Sequence, residues 1–398
     1  MQELKRIINY KRIILLLIAV TVNVVFFLYD NKPVMDEDII NKENVAHETY
    51  IKNYHEEVNA IIDNADKLKK YSIFNKAGSF SYANILQTAR DFERVKNVIL
   101  PEDEYKGVQA YTTYYYQYFF TMLVMMFVIY DMFAQRDNGM WSITYSCANG
   151  RIMYAIKQTG VIVVTGAFTH TLIYWSTFIA AMLQRGGVRD LVNPVQTIET
   201  FDKFTYPWSK IKYVTVLYLI SMVCIVALCI TIWGVFVMFR NRVYALVTML
   251  IFAAVEQFIY SHIDIHSVWN GLHYINIINI ININATFSSY RNWGVGTYVF
   301  PVFSVVLFVH IICAGVIGYI AINVSASMKP YKNTTFIKRF TDCVSAGCQK
   351  ILARIPFLFK EIHKFIFTSH CGWVVVVMLT VTAYVCQTGQ YHYTDDNK

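Results

Sequence analysis

Residues 212–239 read KYVTVLYLISMVCIVALCITIWGVFVMF, and this stretch decides the fold class. It begins with a lysine and contains no other charged residue. The hydrocarbon core of a bilayer is about 30 Å thick, and about 20 residues of apolar helix cross it. Because lipid cannot hydrogen-bond the backbone, an isolated segment that crosses the core has to be helical. The stretch therefore predicts a transmembrane helix.

Six further apolar runs of comparable length flank this one in the sequence. They are residues 13–29, 112–133, 158–183, 243–260, 298–323 and 371–388. The chain is 56% hydrophobic and 16% charged, whereas soluble proteins carry about 25% charged residues. No small-x-small cleavage site follows the first run, so we predict a retained helix rather than a signal peptide. The predicted fold is all-α: a polytopic membrane protein with a six-span core, a seventh span and a helical extracytoplasmic domain after the first span.

Basic residues predict the orientation. Apart from Arg185, Arg189, Lys203 and Lys210 in the predicted outer loop 184–211, which break the pattern mildly, four segments carry the basic residues that indicate the topology: the N-terminus, the 134–157 loop, the turn at Arg240 and Arg242, and the 329–364 segment. Alternating spans place all four on one side, which the positive-inside rule identifies as the cytoplasm. We therefore expect a bacterial cytoplasmic membrane protein with its N-terminus inside and residues 31–110 outside. The net charge of +8 is then a topology signal, and no nucleic-acid partner is expected.

The outer segment 31–110 has helical periodicity. Apolar residues recur at helical spacing over Glu43–Ile73 and again over Tyr82–Leu100, and the Lys76–Ser81 stretch separates the two. They are Val45, Tyr50, Tyr54, Val58, Ile61 and Ile62 in the first run, and Ile85, Leu86, Phe92 and Val95 in the second. Two interpretations remain open. The segment is either a helical cap that packs on the outer ends of the spans or an element that recognises a substrate or partner.

Two other polar or aromatic stretches carry predictions. The sequence YTTYYYQYFF at 111–120 is typical of an aromatic belt at the headgroup layer. The outer loop 261–297 alternates isoleucine and asparagine, which favours a short re-entrant or interfacial helix pair, an outer hairpin before the sixth span.

Catalytic motifs are absent from the sequence. It contains no GxxxxGK[ST] phosphate-binding loop, HExxH or GxSxG motif. We therefore expect no enzymatic activity, no metal and no cofactor bound by this chain. The ionisable residues within predicted spans include His170 and Glu256. Such residues are costly in lipid, so either they line a substrate pathway or they find partners in the bundle or in nearby water.

The two ends of the chain resemble each other. Residues 3–8 and 361–366 are each basic, amphipathic and followed by an apolar run. The expected organisation is therefore 1–30 as inner amphipathic helix and first span, 31–110 as outer domain, 111–328 as the five-span remainder of the core, 329–370 as a basic cytoplasmic segment, and 371–398 as seventh span and outer tail. That last span either starts a second half or is an added helix.

The stretch RDNGMWSITYSCANGRIMYAIK at 136–157 is a polar interval between two apolar runs. Glycines bracket a predicted short helix at 139–148, whose faces are apolar and aromatic. A free cytoplasmic loop would not carry that surface, so we expect it to be buried against the membrane or a partner protein.

This loop resembles the first cytoplasmic loop of type-2 ATP-binding-cassette exporter permeases, and the order of spans over residues 1–328 is similar as well. The matching residues are Asp137, Gly139, Met140, Trp141, Ser146, Gly150, Arg151 and Lys157. Family members usually have a glutamate before the glycine and often a proline after the serine. Here Gln135 and Asp137 occupy the first region and Cys147 follows Ser146.

The resemblance implies a function. The 139–148 helix would insert into a cleft of a separate ATPase subunit, which would itself bind ATP and Mg²⁺. A second permease half or a homodimer would complete the pathway in the lipid bilayer, and a peptide, lipid-like or drug-like amphiphile would be exported. The alternative is a non-transporting receptor or scaffold that senses a ligand with its outer domain.

Overall fold

Long apolar helices form the framework of the molecule. The computed structural model describes residues 10–33, 36–71, 76, 78–101, 106–134, 150–239, 241–263, 267 and 269–327. In chain order the α-helices among them are α1 Tyr10–Asp30, α2 Glu37–Leu68, α3 Phe80–Glu93, α4 Gly107–Thr113, α5 Tyr116–Met132, α6 Gly150–Arg185, α7 Lys210–Met238, α8 Arg242–His262, α9 Asn270–Ile275, α10 Ile277–Ile281, α11 Ile283–Ser288 and α12 Val302–Ser327. The strands are β1 Asn292–Val295 and β2 Tyr298–Pro301, and short 3₁₀ turns lie at Arg189–Val192, Val195–Thr197 and Glu199–Phe201.

Five of these helices, α1, α6, α7, α8 and α12, are long and apolar enough to cross a membrane. Helix α5 is an apolar helix of 17 residues, which at 1.5 Å per residue extend about 25 Å, near the lower limit for a span. The chain is thus a mostly helical, multi-pass membrane protein. The predicted seventh span and the 329–370 segment lie outside the described residues.

The 112–133 run is not one helix, contrary to the prediction. Helix α4 ends at Thr113 and α5 begins at Tyr116, with Tyr114 in an extended conformation. The Tyr114 hydroxyl donates to the side-chain oxygen of Asn23 at 3.0 Å. This hydrogen bond to α1 holds the Tyr114 side chain where the extended backbone places it, and a continuous helix would point the side chain elsewhere.

Two other predicted boundaries also differ from the structure. Helix α6 starts at Gly150, eight residues before the predicted span at 158. The sixth run was predicted to be helical from 298, but residues 298–301 form β2, which pairs with β1 in antiparallel register. The hairpin is a departure from the all-α prediction. Hydropathy alone could not predict it, because an apolar strand and the apolar helix that follows it have the same hydropathy signal.

Helix α7 packs against α5, α6, α8 and α12. Small residues allow its closest approach: a Cβ at Gly234 would lie 2.4 Å from Cγ2 of Ile317 on α12. Neighbouring Trp233 and Phe236 are fully buried. Because lipid is as apolar as these side chains, the association depends on packing contacts rather than on exclusion of water.

Helices α2 and α3 form a subdomain with its own hydrophobic core. Tyr54, Val58 and Ile62 of α2 contact Phe92 and Val95 at the end of α3. These residues were predicted from helical periodicity, and both helices exist, although their ends differ from the predicted bounds by as many as seven residues. Val45 was assigned to the same apolar face but is 63% exposed.

The subdomain contacts the loops at one end of the bundle. The Tyr50 hydroxyl donates to the Gln196 carbonyl oxygen at 2.8 Å. On the other side, the Tyr290 hydroxyl donates to a carboxylate oxygen of Asp91 at 3.0 Å. Burial raises the pKa of Tyr290 to about 12, so its proton stays available for this bond. These contacts join the subdomain to two separate loops at that end of the bundle.

Three short helices, rather than a pair, fill the region after α8. Ile280 of α10 and Ile283 and Phe287 of α11 are buried. Phe287 stacks on Tyr213 of α7 and meets Phe303 of α12 edge-on. The asparagines of this region make both local and long-range bonds: the Asn276 side chain accepts from the backbone N–H of Ile278 at 2.8 Å, and the Asn284 side chain donates to the Thr112 carbonyl oxygen at 2.8 Å.

His273 of α9 gives this region a predicted pH dependence. Its ring stacks on Tyr260 with centroids 4.6 Å apart, and its Nδ1 donates to the Tyr260 carbonyl oxygen at 3.1 Å. Burial lowers the pKa of His273, and the charge of Arg291 lowers it further, although the bond to Tyr260 opposes both.

Because the pKa of His273 is lower in the folded state, the unfolded chain binds more protons as the pH falls below the usual histidine value of about 6.5. We therefore expect acid to destabilise this corner, and His273→Gln to reduce that loss. Hydrogen exchange of residues 256–281 between about pH 7.5 and about pH 5.5 measures it. The exposed His262 supplies the control His262→Gln, and equal acid sensitivity in both variants would contradict the prediction.

Candidate functional site

The predicted coupling loop lies largely outside the described residues, which resume at Gly150. Asp137, Gly139, Met140, Trp141 and Ser146 are therefore not placed by the structure. Gly150 is the first residue of α6, and Arg151 and Lys157 lie in its first two turns. Arg151 is half-buried and Lys157 is exposed.

The helix that leads into this loop is held by two basic residues. The Arg12 guanidinium of α1 forms an ion pair with Asp131 near the end of α5, its Nε donating at 3.1 Å. The Arg242 guanidinium of α8 lies over the Tyr130 ring, 4.5 Å from its centroid. The Asp131 side chain is 60% exposed, so the ion pair is expected to orient the helix end more than to stabilise the fold.

The helix that leaves the loop crosses the middle of the bundle. Helix α6 has 36 residues, which corresponds to a length of about 54 Å. It packs against α1, α4, α5, α7 and α12, and Ala155 and Ile162 on its loop-side half are buried. A displacement of its first turn would therefore act on most of the bundle.

His170 lies at the centre of a buried polar cluster. Its Nε2 is 2.8 Å from the Ser221 hydroxyl oxygen on α7. The rings of Tyr118, Tyr174 and Tyr218 surround the imidazole, with centroids 5.9, 5.4 and 5.8 Å away. Helices α5, α6 and α7 thus each contribute to the cluster, which has an aromatic lining and a polar centre.

Several polar atoms in and beside this cluster lack a hydrogen bond of ordinary geometry within the described part of the chain. They are the hydroxyls of Tyr111 and Tyr118, Oε1 of Gln117 and Nδ1 of His170. All four side chains are at most 2% exposed. Tyr111 nevertheless interacts with the side chains of Tyr174 and Gln117, and Tyr118 interacts with that of Ser221, so the full cost of an unpaired buried group, about 1–3 kcal/mol, applies to Nδ1 of His170. A polar atom at this cost is the feature of the bundle interior that best fits a function beyond packing.

Glu256 forms hydrogen bonds with the segment that follows α9. Its Oε2 accepts from the backbone N–H of Ile277 at 3.0 Å, and its own carbonyl oxygen accepts from the Asn276 side chain at 2.7 Å. A carboxylate in this position stabilises the start of the short helix α10. His170 and Glu256, the two residues predicted for a substrate pathway, therefore lie in different surroundings and do not form one site.

The aromatic stretch 111–120 is divided between the bundle interior and its surface. Tyr111, Tyr114 and Tyr118 are at most 2% exposed and pack inside the bundle, so they do not face the headgroup layer, whereas Phe119 is exposed. The ring of Tyr111 meets those of Tyr174 and Phe178 edge-on. Tyrosine density alone does not reveal which face of a helix is covered by its neighbours.

Sequence reasoning also missed Tyr174, Tyr218 and Ser221. A signal was present, because Tyr174 follows His170 by four positions and Ser221 follows Tyr218 by three. These intervals place each pair on one helical face. The pairing of the two faces, however, depends on how α6 and α7 pack.

Comparison with known proteins gives no further indication. No protein-family model matches the chain, and neither the curated proteins nor the solved structures searched include a significant match.

Proposed function

We propose that this chain is the transmembrane permease subunit of an ATP-driven exporter, coupled to a separate ATPase through the 139–148 helix. Residues 31–110 would be its outer cap, and a second half or second copy would complete the pathway. The cargo would be a peptide, lipid-like or drug-like amphiphile. ATP and Mg²⁺ would bind to the partner, and this chain would supply no catalytic residue.

The observation that carries the proposal is the position of α6. This helix begins where the coupling loop ends and continues without interruption past the His170 cluster. The preceding helix α5 is held at its loop end by Arg12 and Arg242. A force applied by an ATPase at the loop would thus act on α6, while Arg12 and Arg242 keep the end of α5 in place. The packing of α6 on α7 would then change at the His170 cluster.

The test is ATP hydrolysis by the complex. The chain is purified with the ATPase encoded beside it and placed in lipid nanodiscs. We expect Trp141→Ala and Gly150→Trp each to reduce permease-dependent ATP hydrolysis about tenfold, the effect typical of losing a buried aromatic anchor or blocking its approach at an interface. The control is Met153→Ala, because Met153 lies on α6, as Gly150 does, and is 51% exposed.

Hydrolysis that is the same with and without the permease, and unaffected by Trp141→Ala, would overturn the proposal. Ligand binding by residues 31–110 without any ATPase partner would then favour the receptor or scaffold alternative.

A further inference from the structure

The hairpin of β1 and β2 has its apolar face exposed rather than buried against the rest of the protein. Register pairs Trp293 with Phe300 and Val295 with Tyr298, and cross-strand partners share a face. We call this set the open face. Val295, Tyr298 and Phe300 are 58%, 72% and 42% exposed. In a hairpin that borders water, the exposed face is normally the polar one.

The opposite face of the hairpin is covered by α3. Asn292 donates from its side-chain nitrogen to Oδ1 of Asn84 at 2.9 Å. The Phe80 ring lies so close to Gly294 that a Cβ there would be 2.5 Å from its Cδ2. The covered face therefore holds the hydrogen-bonded asparagine and the close backbone contact, and the hairpin cannot turn its apolar side chains inward.

The open face continues into neighbouring apolar surface. The Trp293 ring packs on Gly271 of α9, and Trp269 and Leu272 beside it are 67% and 50% exposed. Pro301 is followed directly by α12, a membrane helix with exposed apolar residues such as Phe308, 64% exposed. The hairpin thus lies where the lipid-facing surface of α12 begins.

The chemistry of this surface favours a bilayer interface over water. Tryptophan and tyrosine prefer the headgroup layer, because each has an apolar ring and one polar atom. Arg291 lies at the base of the hairpin, is exposed, and donates from Nη1 to the Tyr274 hydroxyl at 2.7 Å. A basic side chain on an apolar surface can direct its charge towards lipid phosphates.

We infer that the open face of the hairpin rests in the headgroup–acyl boundary of the bilayer that α12 spans, with lipid as its partner. The hairpin and α9 then form an anchor that fixes the height of the α2–α3 subdomain above the membrane, since α3 is bound to the covered face. This inference requires only that α12 crosses a membrane, and it holds whether or not the chain is an exporter.

Photocrosslinking in lipid nanodiscs tests the inference. The photoreactive residue p-benzoyl-phenylalanine replaces Tyr298 or Phe300, and mass spectrometry of the irradiated protein detects phospholipid adducts. Phe308 on α12 is the positive control. Lys52 of α2, whose side chain is 75% exposed and paired with Glu48, is the control for a charged surface. All four positions are open or partly open, so the larger side chain is tolerated, and gel filtration of each variant verifies folding.

We expect lipid adducts at positions 298 and 300 within about threefold of the yield at Phe308, and at least about tenfold above that at Lys52, as for aromatic residues in the interface. Adducts at 308 without adducts at 298 and 300 would overturn the inference. Crosslinks from 298 and 300 to a second copy of the chain or to another protein would overturn it as well, and would identify the actual occupant.

Discussion

Gly107→Ala is expected to lower the free energy of unfolding by about 3 kcal/mol, the upper part of the range for overpacked sites. Gly107 is the first residue of α4 and packs against the end of α6. A Cβ there would lie 2.3 Å from the Gly186 carbonyl oxygen and 2.7 Å from Cε of Met182. The methionine can move, but the carbonyl belongs to a backbone turn whose N–H is bonded to the Met182 oxygen. Relief therefore requires α4 to separate from α6.

Thermal unfolding in detergent, followed by fluorescence, measures this effect. Gly160→Ala is the matched control, because it makes the same chemical change within α6 where a Cβ would meet nothing within 4 Å. The control is expected to be neutral or stabilising by up to about 1 kcal/mol, the difference in helix propensity between glycine and alanine. Equal unfolding temperatures for the two variants would contradict the packing of α4 on α6.

Gly234→Ala is expected to separate α7 from α12 at a cost of about 2 kcal/mol. The new Cβ would lie 2.4 Å from Cγ2 of Ile317. That methyl group is attached to a branched carbon of a helical residue and has little rotamer freedom. The helices would have to move apart, and in lipid no hydrophobic effect would restore the lost contact.

A double-mutant cycle makes this second prediction specific. Ile317→Ala removes the obstructing methyl group, so the double variant should recover at least about half of the loss caused by Gly234→Ala alone. Gly315→Ala on α12, where a Cβ meets nothing within 4 Å, controls for adding a methyl group to a membrane helix. Strictly additive effects of the two substitutions would show that the close contact is absent.

The membrane helices were predictable because their signal is local. An apolar run of about 20 residues has one stable structure in lipid, and α1, α6, α7, α8 and α12 follow from it. The subdomain core at Tyr54, Val58 and Ile62 was predictable for a similar reason, since helical periodicity places these residues on one face. The boundaries at Tyr114 and Val302 were not, because a contact to Asn23 decides the first and strand pairing decides the second.

The candidate site depended on tertiary structure to a greater extent. The sequence identified His170 and Glu256 as unusual for their positions, but it could not separate their roles. Packing of α5, α6 and α7 surrounds His170 with tyrosines, whereas the fold of the 270–288 segment brings the backbone N–H of Ile277 to the Glu256 carboxylate. Likewise, Tyr111, Tyr114 and Tyr118 are buried because neighbouring helices of the bundle cover them.

The sequence by itself determined that this chain is a helical membrane protein, which segments of it are apolar helices, and that a two-helix subdomain follows the first of them. These properties depend on hydropathy and on periodicity within one segment. Tertiary structure alone decided which polar atoms meet around His170 and which face of the 292–301 hairpin is left open. Those outcomes depend on contacts between residues far apart in the chain, and no single segment encodes its partner.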